Sequence, residues 1–182
     1  MYKLFSIFLI AFGSLLPAMA ADNSSQPAKA EVEAFRLSMD KVNATTKAFE
    51  NIFELLAGDP KLVERWKQEE EKVDSDDSSS DMAVICERLG RTDKRIPAAF
   101  AKAGISPKEA NMTMATIAGG LLGLSMAESA GVKNPNLEKG MAKDNIEFIR
   151  AHKAEILQAL DKIKSLPSKY PNLMQDGKSD DH

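Results

Sequence analysis

SPKEANMTMATIAGGLLGLSMA, residues 106–127, is the stretch whose reading decides the fold. Its opening, Ser106-Pro107-Lys108-Glu109, places a capping hydroxyl, a first-turn proline and a reciprocating carboxylate at capping-box spacing. A helix is predicted to start there. From Asn111 to Ala127 no charged residue interrupts it, and Met112, Met114, Ile117, Leu121, Leu122, Leu124 and Met126 spread around the axis rather than along one stripe. A helix apolar on all sides is expected to lie centrally and largely enclosed, with Gly131 as its C-terminal stop. Such a centre needs amphipathic helices to cover it. The predicted class is therefore all-α, an antiparallel bundle of about four principal helices plus short helical pieces.

Working outward, the composition agrees. Only 6% of the 182 residues are aromatic, and runs of Val, Ile, Thr and Tyr long enough to form strands are absent. The net charge of −3 is spread over interspersed acids and bases, which argues against phosphate-backbone binding, so nucleic acid is not an expected partner.

Toward the N-terminus, Val32, Phe35, Met39, Val42, Thr46, Phe49, Phe53 and Leu56 alternate spacings of three and four, which predicts one long amphipathic helix ended by Gly58. Asp59 and Pro60 then supply an N-cap and a first helical position for a helix burying Leu62, Val63, Trp66 and Val73. Residues 69–81, a run of acids and serines, read as an exposed connector. A third helix is expected over 81–89, interrupted by Gly90. A short piece over 96–103 follows, with Pro97 in its first turn and Gly104 as a left-handed cap.

On the C-terminal side, Asn134-Pro135-Asn136 predict a turn. The last helix is expected over 141–166, with Ile146, Ile149, Ile156, Leu160 and Ile163 inward and Pro167 as its stop. The polar tail 173–182 is expected to be disordered.

The first twenty residues read as an export signal: Lys3, the apolar run 4–16, Pro17, and Ala18-Met19-Ala20 as a peptidase site, so the mature chain is expected to begin at Ala21. The run falls short of the ~20 residues a membrane span needs. Ala21 also lacks the thiol that lipid attachment requires. The expected product is periplasmic or secreted, with no stable membrane anchor and a helical domain over 21–172. Cys86 is the only cysteine, so no intramolecular disulfide forms. Met82, Ile85 and Leu89 flank it at helical spacing and predict its burial.

Residues able to carry chemistry are few. His152 and His182 are the only histidines, and no phosphate-binding loop, serine elbow or zinc spacing is present, so an enzyme is not expected. Met39 on the first helix and His152 on the last are the candidate ligands of a b-type haem, although Arg150, Lys153 and Glu155 set His152 on a solvated face. Asp74, Asp76 and Ser78 begin a calcium-loop spacing, but Ser79 stands at the glycine position and Ile85 at the bidentate Glu position. No cofactor is expected. The three Asn-x-Ser/Thr sites, at Asn23, Asn43 and Asn111, are read as coincidental.

Gly119, Gly120 and Gly123 weaken a helix by about 1 kcal/mol each relative to alanine, so they imply close approach of another backbone. That approach is either packing inside the bundle or a contact made by Gly119, Gly123 and the nearby Met126 with a second copy or a partner. The function expected from these residues is that of a non-enzymatic exported protein, monomer or homodimer, binding a protein partner or a small hydrophobic ligand. A haem- or calcium-binding bundle is the alternative.

Overall fold

The computed structural model describes residues 31, 34–75, 82–131, 143–170 and 173. Among the described residues there are seven helices and no strand, so the chain is all-α. Four helices are long: α1 (Met39–Ala57, 19 residues), α2 (Pro60–Ser75, 16), α5 (Pro107–Ser129, 23) and α7 (Lys153–Lys169, 17). Three are short: α3 (Met82–Thr92, 11), α4 (Arg95–Lys102, 8) and α6 (Lys143–Ala151, 9).

The helix predicted from Val32 to Leu56 is broken at 35–38: Glu31 and Ala34 are helical, the Phe35 amide bonding Glu31 O at 2.9 Å, and α1 begins only at Met39, while Val32 itself lies outside the described residues. Ser38 holds extended backbone (φ −149°, ψ 158°), and its hydroxyl accepts the Lys41 amide at 3.3 Å. Phe35 and Leu37 are buried on either side of exposed Arg36, the period-two pattern of an extended segment. Tertiary capture, described below, overrides the helical period here.

Residues 69–75 also depart from expectation. They continue α2 rather than form an exposed connector, and Glu70 is buried. Asp59 caps this helix, its carboxylate accepting the Lys61 and Leu62 amides at 3.0 and 3.2 Å. The side chains of 73–84, including Val73 and Met82, lie outside the described residues.

Gly90 does not interrupt α3, which passes through it to Thr92. A Cβ at that position would lie 3.3 Å from Pro97 Cδ, so the glycine admits α4 against α3. Gly104 and Gly131 adopt the left-handed conformation (φ 78° and 70°) after α4 and α5, as expected of helix stops. The capping box of α5 is complete: Ser106 Oγ accepts the Glu109 amide at 3.1 Å, and Glu109 Oε2 accepts the Ser106 amide at 3.2 Å.

The single last helix predicted over 141–166 is two. His152 leaves helical geometry (φ −110°, ψ 21°) and separates α6 from α7. The bonds from His152 N–H to Phe148 O and from Ile156 N–H to His152 O, both 2.9 Å, persist, so the break is a bend of one residue. Nor does Pro167 stop α7. It sits buried in the last turn, where a proline forfeits one intrahelical bond, and the helix continues to Lys169. Leu173 is buried beyond it, one residue past the expected domain boundary. The expected turn at 134–136 and the remaining tail 174–182 lie outside the described residues, as do residues 1–20.

Two apolar clusters fill the bundle. The first joins Phe49, Ile52, Phe53 and Leu56 of α1 to Leu62 and Trp66 of α2, Ile85, Cys86 and Leu89 of α3, Ile96 and Phe100 of α4, and Ile163 and Leu166 of α7. The second joins Phe35, Leu37 and Val42 to Met112, Ile117 and Leu124 of α5, Ile146 and Ile149 of α6, and Ile156 and Leu160 of α7. Helices α1 and α7 each run from the second cluster to the first. Helix α5 enters at the first, through Ala110, and ends in the second, so it runs opposite to both.

Candidate functional site

Helix α5 was expected to be largely enclosed, and it is enclosed on one side. Neighbours α1, α3 and α6 cover Ala110, Met112, Thr113, Thr116, Ile117, Gly120, Leu124 and Ala127. The Thr113 hydroxyl is satisfied within the helix by Glu109 O at 2.8 Å. On the other side Ala115, Ala118, Gly119 and Leu122 are half-exposed and Met126 is 57% exposed. Spacings of four, three and four put Ala115, Gly119, Leu122 and Met126 on one helical stripe.

The most apolar 18-residue window of α5 has a mean hydropathy of 1.2, long and apolar enough by composition to cross a membrane, with 44% of it buried in the fold. The glycines divide accordingly. Gly120 is buried, whereas Gly119 and Gly123 are half-exposed. Met126 and Leu157, the latter 41% exposed, are the exposed large apolar side chains among the described residues. They stand on α5 and α7, which an ion pair from Lys153 to Glu128 (3.2 Å) joins at this end of the bundle.

Elsewhere the polar side chains bind the fold to itself. Asp93, between α3 and α4, accepts the Arg95 amide at 3.1 Å, Arg95 Nε at 2.9 Å and Arg95 Nη2 at 2.7 Å. Arg65 of α2 reaches the same carboxylate at 3.4 Å, and Arg95 also bonds Asp59 at 2.8 Å. These donors hold the Asp93 carboxyl at about 2, below its usual 3.8, with the Arg95 hydrogen bond as the largest cause. Arg95 also lowers the Asp59 carboxyl through its hydrogen bond. The network ties the start of α2 to the α3–α4 junction. It is a structural hub.

The residues predicted as haem ligands have other settings. Met39 is half-buried at the start of α1, against the second cluster. His152 sits at the α6–α7 bend with its ring 4.6 Å from that of Phe148 and Nδ1 2.5 Å from Glu155 Oε2. Among the described residues no group of three or more His, Cys, Asp or Glu side chains is placed to hold a metal ion. The side chains of the calcium reading, Asp74, Asp76 and Ser78, lie outside the described residues, as does that of Ser79 at the glycine position, and Ile85 belongs to the first cluster. Cys86 is buried, as its apolar flanks predict.

One arrangement went unread in the sequence. Asn145 of α6, 1% exposed, donates from Nδ2 to Phe35 O at 2.9 Å and accepts the Leu37 amide on Oδ1 at 2.8 Å. The available signal was a carboxamide one turn from Ile149 and adjacent to Ile146, on the face that has to be buried.

No protein-family model matches this chain, and no curated protein and no solved structure is significantly similar to it.

Proposed function

We propose that this chain is an exported, non-enzymatic binding protein that recognises an apolar surface on another protein through the outer face of α5. One observation carries the reading. The uncharged stripe Ala115, Gly119, Leu122 and Met126 stays half-exposed on a helix whose other side is fully packed. Small residues at Ala115 and Gly119 let a partner backbone approach closely, and Met126 supplies an adaptable apolar contact. Exposed apolar surface of this kind favours association over solvation. A small hydrophobic ligand would use the same stripe. Export follows from the leader 1–20 and cleavage before Ala21.

The test is capture of interacting proteins from the exported fraction of the producing cell, using the wild-type chain and a Leu122→Lys/Met126→Lys variant. The expected result is one or a few captured species, lost by the variant while its circular dichroism and melting temperature stay unchanged. Identical capture by both proteins would refute the assignment to α5. N-terminal sequencing of the exported chain should begin at Ala21, and a sequence beginning at Met1 would refute export by cleavage.

A further inference from the structure

The segment 35–38 is bound to the bundle in the way a peptide ligand binds a receptor. Phe35 and Leu37 enter the second cluster beside Met112, Ile149 and Ile156. The Asn145 carboxamide meets the backbone between them through both a donor and an acceptor. These two bonds, to the carbonyl of one residue and the amide two residues later, are the pair that one residue of a parallel strand makes to its neighbour. Exposed Arg36 pairs with Asp144 at 3.2 Å, and Lys108 reaches Glu31 at 2.8 Å. Both pairs are solvent-accessible and add little holding force. A buried side-chain amide that reads only main-chain atoms is indifferent to which chain supplies them.

The geometry points to a binding groove, lined by α5, α6 and α7, for an extended aromatic-basic-aliphatic segment of a partner protein, with Phe35-Arg36-Leu37 as its resident occupant. Affinity comes from main-chain bonds to Asn145, and specificity from two apolar sockets at alternate positions. At the middle position Asp144 adds only a weak, solvent-screened preference for a basic residue. The resident segment is tethered, and so competes at an effective concentration in the millimolar range. A partner gains access only when the strap is displaced. The proposal concerns residues other than the outer stripe of α5 and stands or falls separately from it.

The probe is a fluorescent peptide of sequence EVEAFRLS, residues 31–38, titrated against the full chain and followed by anisotropy. A Phe35→Ala/Leu37→Ala chain, with its sockets vacated, is expected to bind the peptide saturably and at least about tenfold more tightly than wild type. Adding Asn145→Ala should weaken that binding by about tenfold or more. A folded double variant that ignores the peptide, or binding indifferent to Asn145, would overturn the groove.

Should the double variant lose its helical circular dichroism, amide exchange in the wild type decides. A Leu37 amide exchanging at least about tenfold faster than that of Ile149 shows a strap that opens on a folded body, whereas equal rates overturn the proposal. A concentration-dependent wild-type dimer that Phe35→Ala/Leu37→Ala abolishes would assign the groove to exchange between copies and overturn the partner reading.

Discussion

Asp93 is the residue on which acid stability turns. Its carboxyl is held at about 2 in the folded chain, chiefly by the Arg95 hydrogen bond, against an ordinary value of 3.8. A carboxyl lowered in the folded state contributes its stability above the unfolded value and loses it as pH falls through the folded one. Stability of the wild type is therefore expected to drop between about pH 4 and pH 2, and Asp93→Asn to remove this component of the drop. Near neutral pH the substitution should cost about 2 kcal/mol, the scale of hydrogen bonds to a charged group. Urea titrations of both proteins across this pH range provide the check. At the same scale, Asn145 shows where sequence reading stops. Its partners lie 108 and 110 residues away, beyond any local pattern, whereas the burial of Cys86 was readable because Ile85 and Leu89 flank it within one helical turn.

At the scale of elements, local chemistry was legible where it is self-contained. The Ser106 capping box fixed the start of α5 because both of its reciprocal bonds lie within four residues. Ser106→Ala is expected to lower stability by about 1 kcal/mol with no change in helical fold, measured by denaturant titration. No measurable loss would show that Pro107 alone sets the start of the helix. The misread boundaries share another cause, since each depends on a distant surface. The strap at 35–38 leaves the helix where Asn145 of α6 offers its backbone a partner, and Gly90 lies within α3 at the point where Pro97 of α4 packs close beside it. The outer face of α5 was read as covered because periodicity counts apolar positions and not the helices available to cover them. The bend at His152 has neither glycine nor proline to announce it, and the neighbouring carbonyl bonds stay intact.

At the scale of the molecule, the two clusters share α1, α5 and α7, so neither can melt while the other keeps its helices in place. Ile149→Ala, in the second cluster, is expected to cost about 2–4 kcal/mol. It should lower the unfolding midpoint seen by Trp66 fluorescence, which reports the first cluster, as far as the midpoint seen by far-UV circular dichroism. A Trp66 midpoint left where it was would mean two independently melting halves. The all-α class was legible because the helical segments carry either an apolar period of their own or, in α5, a capping box followed by an unbroken uncharged run. How the helices share two clusters was not, since that depends on pairings between segments far apart in the chain. The strap brings a further consequence, one of time rather than of energy. Phe35 leaves the ribosome well before Asn145 is made, and closing a loop of more than a hundred residues comes late on a folding path. The first segment of the bundle to be synthesised is thus among the last to dock, and throughout that interval its phenylalanine and leucine stand open to whatever guards a nascent chain.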